Sequence, residues 1–312
     1  MGKILLFYKY VTLENPIGIM RWQHKLCKEL NLKGRIILAT EGINATVGGS
    51  VENTERYKVL MSRHHLFGGI DFKEAPGDAD CFPRMRIVVK NEIVHLGLDT
   101  QKVSVKDTGK HLTPAQTHEL IAAKPKDLVI LDARNNYEAR VGKFTNAVVA
   151  PIKHFRELPT YIDNNLEQFK DKDVLMYCTG GIRCERATAY LATKGVAKNI
   201  YQIEGGIHRY IEQFPDGYFR GKNYVFDGRV TVQVNDDVLA TCDLCSVSCD
   251  EFNNCLNASC NKHFIGCPPC IATYQNCCSA ACLENIRTGA VTQRPLFKKV
   301  PQKSTPVLTP EE

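Results

Sequence analysis

No apolar run in this 312-residue chain approaches the roughly 18 residues that a membrane-crossing helix needs. The opening, Met1-Gly2-Lys3-Ile4-Leu5-Leu6-Phe7-Tyr8, is apolar for too short a stretch, and charged too early, to serve as a secretory leader. Position 6 is Leu, not the Ser or Thr that a myristoylation signal requires after Met1-Gly2. There is no Gly-rich NAD or flavin fingerprint, and no evident pair of histidines with a carboxylate to hold iron. The chain is therefore expected in the cytoplasm, with no membrane partner, and is long enough for two or three domains. Against these absences stand fourteen cysteines. In a reducing compartment, thiols clustered at such density point to metal binding or catalysis.

The net charge of +6 is unevenly spread. Residues 1–110 carry 17 Lys+Arg against 12 Asp+Glu, 111–224 carry 16 against 13, and 225–312 carry 7 against 9. A basic front end suits a polyanion.

Three regions follow one another. In the first, strand-length runs at 3–10, 34–39, 43–47, 70–74 and 85–89 alternate with helical spacing over 16–30 and from Gly48-Gly49-Ser50 to about Ser62. A βαββαβ order is the split-βαβ, ferredoxin-like pattern. Polar residues 99–111 read as a linker. In the second region, Thr113 and Pro114 mark a helix start. Strands are expected at 128–132, 147–150, 174–177 and 200–203, with helices at 137–141, 161–169, 186–194 and 207–213. Strands alternating with helices imply a parallel sheet, whose ligands lie at the strands' carboxyl ends. The third region opens with an expected hairpin at 224–226 and 229–234 and turns cysteine-dense from 242 to 282. Residues 289–312 read as a disordered tail.

At one such strand end the chain reads Cys178-Thr179-Gly180-Gly181-Ile182-Arg183-Cys184-Glu185-Arg186, with the helix expected to begin near Ala187. This places a thiol inside a ring of backbone N–H groups at a helix start, which binds anions and lowers a cysteine pKa. Arg183 and Arg186 are expected to add positive charge beside it. Cys184 either resolves Cys178 through a disulfide or is a small buried residue.

Leu131-Asp132-Ala133-Arg134, Tyr137-Glu138, Gly142-Lys143-Phe144 and Glu204-Gly205-Gly206, together with the 178–183 loop, resemble the rhodanese-type sulfurtransferases. In phosphatases of that fold the arginine stands six positions after the cysteine. Here Arg183 stands five after Cys178, and the smaller ring resembles that of the sulfur-handling members. The motifs Thr40-Glu41-Gly42-Ile43-Asn44-Ala45-Thr46-Val47, Phe82-Pro83-Arg84-Met85-Arg86, Glu92-Ile93-Val94 and Thr108-Gly109-Lys110 extend the likeness. Over nearly its whole length the chain is similar to the bacterial tRNA uridine 34 hydroxylases, which usually have Gly where Ala45 stands. The resemblance implies a ferredoxin-like (acylphosphatase-like) tRNA-binding domain over 1–97, a rhodanese domain over 112–222 and a Cys-rich region over 223–288. It also implies O2 as co-substrate, the tRNA wobble position as partner, and formation of 5-hydroxyuridine.

On that reading Cys178 adds to C6 of uracil and makes C5 able to react with oxygen, while Arg183 and the loop N–H groups stabilise developing charge. A persulfide on Cys178 is the competing mechanism. A plain sulfurtransferase and a non-catalytic redox- or metal-responsive module are the alternative functions. Asp132 and Arg134 are expected to brace the loop through an internal salt bridge. Tyr137 and His208 either approach its mouth or pack.

Cys242-x2-Cys245 and Cys267-x2-Cys270 have the spacing of a zinc ribbon. Cys249, Cys255, Cys260, Cys277, Cys278 and Cys282 suffice for a second site, and a disulfide framework is the alternative. Zinc would supply folding energy to a stretch poor in large apolar residues. His263 is either a further ligand or an ordinary exposed histidine. Arg84, Arg86 and Lys90, with the run Arg63-His64-His65, are candidates for tRNA phosphates.

Overall fold

The computed structural model describes residues 2–296 and 299–300. The amino-terminal region runs β1 (Gly2–Tyr10), α1 (Pro16–Glu29), β2 (Lys33–Ala39), β3 (Gly42–Ser50), α2 (Val51–Arg63), β4 (Lys73–Pro76) and β5 (Met85–Val89). Asn15 caps α1 by accepting the Gly18 N–H at 2.9 Å, and Ser50 caps α2 by accepting that of Asn53 at 3.1 Å. The strands form one sheet in the order β4-β1-β3-β2-β5, antiparallel except that β5 runs parallel to β2. The strand expected at 70–74 begins later, at Lys73, because pairing with β1 starts only where Lys73 meets Leu6.

Period-two alternation gives this sheet two different faces. Leu5, Phe7, Ile36, Leu38, Ile43 and Val47 pack under the helices with Leu26, Tyr57 and Met61. Leu6, Tyr8, Arg35, Ile37, Asn44 and Thr46 occupy the opposite face.

The middle region runs β6 (Lys110–Leu112), α3 (Pro114–Ala122), β7 (Leu128–Asp132), α4 (Asn136–Val141), β8 (Gly142–Phe144), β9 (Val148–Val149), α5 (Leu158–Asn164), α6 (Leu166–Phe169), β10 (Asp173–Tyr177), α7 (Ile182–Ala192), β11 (Asn199–Ile203) and α8 (Gly206–Gln213). Its parallel sheet has the order β6-β11-β10-β7-β9. Thr113 and Gln116 form a capping box at the start of α3.

Three expectations are corrected here. The presumed linker ends in a strand, since Lys110–Leu112 pairs with Tyr201–Ile203; a three-residue edge strand with two polar members carries little periodic signal. The helix expected at 161–169 is split at Asn165, whose side chain donates to the Tyr161 carbonyl. The helix after the thiol loop begins at Ile182, not near Ala187, because Gly181 at φ 101° turns the chain straight into it. Arg183 and Cys184 therefore stand on its first turn.

The remaining chain forms β12 (Phe219–Tyr224), β13 (Thr231–Gln233), β14 (Phe252–Asn254), β15 (His263–Ile265), α9 (Pro268–Thr273) and α10 (Ala280–Arg287). The first hairpin strand begins five residues before the expected 224, because β12 also pairs with β8. Of the expected disordered tail, residues 297–298 and 301–312 lie outside the described residues. The rest is held in place. Gln293 bridges to Asn257, Arg294 donates to Ala258 and Asn261, and the Val300 N–H donates to the Gly228 carbonyl at 2.9 Å.

The amino-terminal and middle regions are joined through a buried charge. Arg186, expected beside the thiol, turns away from it and is fully buried against Glu41 at 3.0 Å and Glu92 at 3.5 Å, also donating to the Leu98 carbonyl. Tyr8 adds a 3.0 Å hydrogen bond to Glu185 across the same boundary. Replacing Arg186 with Met leaves two carboxylates facing each other without a cation. The expected cost is about 3 kcal/mol in urea unfolding. A loss below about 1 kcal/mol would show that this pair does not hold the regions together.

Candidate functional site

The buried apolar run Val174-Leu175-Met176-Tyr177 carries Cys178 to the carboxyl end of β10, also buried. The loop that follows lies directly beneath the open face of the amino-terminal sheet. A Cβ on Gly180 would come 3.1 Å from Leu6 Cδ2, and one on Gly181 would come 2.8 Å from Tyr8 Oη. The Glu204-Gly205-Gly206 motif closes the other side. A Cβ on Gly206 would meet the Cys178 carbonyl at 2.5 Å, and the adjacent N–H groups of Ile207 and His208 donate to the carbonyls of Cys178 and Thr179.

Burial pushes the Cys178 thiol up, but its neighbours reverse the effect. The Cys184 thiol donates to its sulfur, the Arg183 guanidinium is close by, and backbone N–H groups of the first helical turn point at it, leaving the pKa at about 6. The Gly181 N–H is 3.2 Å from Sγ. Cys184 moves the opposite way, well above an ordinary thiol, through its own burial and its bond to Cys178. At neutral pH the pair is one thiolate beside one thiol.

Arg183 is held by a carboxylate that the sequence reading gave no role. Its two terminal nitrogens bind Glu138 at 2.6 and 2.7 Å, and one also approaches Thr179 Oγ1 at 3.3 Å. Glu138 is fully buried and also accepts the Asn135 N–H. The pattern Asn135-x-x-Glu138 is a capping box visible in the sequence, and that signal marks Glu138 as inward-pointing. Asp132 and Arg134 pair fully buried below the loop at 2.7 Å; Arg134 also donates to the Gly142 carbonyl, and Tyr177 Oη donates to Asp132. They tie strand ends together and do not line the cavity. Tyr137 packs edge-on against Tyr224.

Above the loop is a cleft of about 250 Å³. Cys178, Thr179, Gly180, Ile182 and Arg183 form one wall, and Leu6, Tyr8, Arg35, Ile37, Asn44 and Thr46 form the other. Ala45, Val94 and Phe226 complete it. Arg35 stands in register with Arg86, and Arg84 lies just before that strand, where its carbonyl accepts the Gly34 N–H at 3.3 Å. Arg84, Arg86 and Lys90 are exposed, and among the described residues none of them, nor Arg35, has an ion-pair partner. The run Arg63-His64-His65 ends α2 on the helix side of the sheet, where His64 packs on Trp22, and so does not join them.

The fourteen cysteines form no disulfide. The sulfurs of Cys242, Cys245, Cys267 and Cys270 all lie within 4.8 Å of one another, as do those of Cys255, Cys260, Cys278 and Cys282. Backbone N–H groups of Leu244 and Cys267 point at Cys242 Sγ, and that of Cys278 points at Cys255 Sγ. Such N–H donors suit thiolates. Cys249 and Cys277 are buried in the flanking apolar clusters and belong to neither group. His263 stacks on Phe252 at 4.3 Å and is likewise outside both.

Three family models match the chain: a UPF0176 acylphosphatase like domain over residues 2–93, a rhodanese-like domain over 113–213 and a rhodanase C-terminal region over 220–283. Full-length relatives are also found. The tRNA uridine(34) hydroxylase of Cytophaga hutchinsonii is 41% identical over 285 residues, covering 90% of this chain and 89% of its own. That of Listeria monocytogenes serotype 4a is 39% identical, covering 90% and 88%, and that of Photorhabdus laumondii is 37% identical, covering 92% and 83%.

Iodoacetamide labelling of the Cys178 peptide, followed by mass spectrometry, should rise with pH through a midpoint near 6, as the depressed pKa requires. Cys184→Ala and Arg183→Met should each move the midpoint upward. A midpoint near the ordinary thiol value of 9.0 in the unaltered protein would contradict the geometry.

Proposed function

The chain belongs to the tRNA uridine(34) hydroxylase family, and from that membership we propose how its own residues carry the reaction. It is an enzyme that converts uridine 34 of tRNA to 5-hydroxyuridine in an oxygen-dependent hydroxylation. The observation that carries the proposal is a buried thiolate at the floor of a cleft whose opposite wall is a sheet bearing arginines that have no ion-pair partner among the described residues.

In this proposal the Cys178 thiolate adds to C6 of the base, and C5 gains enolate character. Arg183 and the loop N–H groups offset the negative charge that leaves sulfur. C5 takes up O2 and a proton as a hydroperoxide. The Cys184 thiol then takes the outer oxygen as a sulfenic acid, leaving a hydroxyl on C5. Loss of the C5 proton expels the Cys178 thiolate and restores the ring. Cys178 condenses with the sulfenic acid, releasing water and forming a disulfide that an external dithiol reduces. One uridine, one O2 and two thiols thus give 5-hydroxyuridine, water and one disulfide. The S–H···S contact between the two cysteines supports assigning both to the same step.

Residues 1–97 serve tRNA binding in this reading. The strand order β4-β1-β3-β2, with β5 added at the edge, supports the split-βαβ, ferredoxin-like reading of this region. Exposed Arg84, Arg86 and Lys90 would meet phosphates, and Arg35 continues that charge into the cleft. Residues 112–222 carry the chemistry. Residues 223–288 would hold two structural zinc ions, on Cys242, Cys245, Cys267 and Cys270 and on Cys255, Cys260, Cys278 and Cys282. Four thiolates per ion leave no open position, so the metal would supply folding energy and no step of the reaction. Fourteen cysteines with no disulfide among them also support a reducing, cytoplasmic setting. Among the described residues no helix is long and apolar enough to cross a membrane.

Cys178→Ala should abolish the uridine derivative that is one oxygen heavier, read by nucleoside mass spectrometry of tRNA. Full hydroxylation by that variant would end the proposal. Elemental analysis of the purified protein should find two zinc ions per chain. Cys242→Ser and Cys255→Ser should each lose one and lower Tm, whereas a metal-free, equally stable protein would refute the metal assignment.

A further inference from the structure

One large aromatic ring stands at the mouth of the thiol cleft, with no partner on its outer side among the described residues. Phe226 is 57% exposed, although the preceding Val225 is buried and its own ring lines the cleft. The Arg183 guanidinium lies 5.7 Å from its ring centre, and Tyr224 meets its edge at 5.3 Å. The ring is thus held from behind and open in front. Such a platform suits stacking against a flat, unpaired base, the usual way single-stranded bases are held.

Deeper in the cleft, Asn44 is fixed in one orientation. Its Nδ2 donates to the Ile93 carbonyl at 2.9 Å. A carbonyl only accepts, so the amide cannot be flipped, and Oδ1 is the atom left open. Asn44 therefore offers the cleft an acceptor. Arg35, from the neighbouring strand, offers donors with no carboxylate to claim them among the described residues. Uracil presents a donor at N3 between two carbonyl acceptors. Cytosine presents an acceptor at N3 and a donor at C4, the reverse at both points. The cleft, at about 250 Å³, is near the small end of ligand pockets and suits one extruded base, not a base pair.

We propose that Phe226, Asn44 and Arg35 form a uracil-reading site, in which the base stacks on Phe226 while Asn44 Oδ1 accepts from N3–H and Arg35 donates to a ring carbonyl. The site rests on the reading of the cleft given under Proposed function, and it deepens that reading by assigning base selection to the amino-terminal sheet. Arg35 at a ring carbonyl also stands where charge develops when C6 is attacked.

The test uses the full chain and anticodon stem-loops that differ only in U or C at position 34, with binding read by fluorescence anisotropy. The unaltered protein should prefer U34. Phe226→Ala should weaken binding of both loops by about tenfold or more, and Phe226→Trp should restore it. Asn44→Ala should narrow the U34-over-C34 ratio toward unity. Because the ratio compares two ligands on one protein, partial unfolding would lower both affinities and leave it unchanged. Equal binding of U34 and C34 by the unaltered protein, or full affinity and full preference in both alanine variants, would overturn the proposal. Those outcomes are independent of hydroxylation by Cys178→Ala, so failure of the reading site and failure of the thiol chemistry are told apart.

Discussion

A thiolate can occupy the interior of this protein only because donors converge on it. The sulfur of Cys178 is buried, and burial alone would keep it protonated. The Gly181 N–H, the first turn of α7, the Cys184 thiol and the Arg183 charge together reverse that preference. Each depends on another contact. Gly181 can adopt its positive φ because it has no side chain, and Arg183 is aimed by the fully buried carboxylate of Glu138. Glu138 balances most of the arginine charge, so the site holds a fixed ion pair beside its thiolate, not a loose cation.

The same crowding builds the cleft. Leu6 and Tyr8 press on Gly180 and Gly181 so closely that a methyl group at either glycine would have to displace them. This approach is maintained by charge as well as packing, through Arg186 with Glu41 and Glu92, and Tyr8 with Glu185. The amino-terminal sheet therefore does two jobs with its two faces. Leu5 and Phe7 of β1 bury a core under the helices, while Leu6 and Tyr8 roof the thiol. Among the described residues, the cysteine-rich region packs in small apolar clusters, around Phe252 and Ile265 and around Phe264 and Leu283.

Much of this was legible in the sequence, for physical reasons. The buried strand before Cys178 is a continuous apolar run, Thr113-Pro114 carries a capping signature, and paired Cys-x2-Cys knuckles announce tetrahedral thiolate groups. Other features were hidden because they are long-range. Nothing near Arg186 in sequence marks Glu41 as its partner 145 residues away. Phe226 reads as a strand residue until the fold leaves it exposed beside Arg183. The early start of α7 was missed because Ile182 and Arg183 look like loop when the turn is judged by its glycines alone. Cys249 and Cys277 could not be separated by spacing from the two converging groups of four, since only the fold decides which sulfurs meet.

The central claim is that the Cys178 thiolate attacks C6 of uridine 34. It is tested most directly with an anticodon stem-loop carrying 5-fluorouridine at position 34, incubated with the protein under anaerobic conditions and analysed by peptide mass spectrometry. The account predicts a covalent adduct on the peptide containing Cys178, absent with a 5-fluorocytidine loop. Recovery of that peptide with no adduct, or with an added sulfur atom in its place, would contradict it.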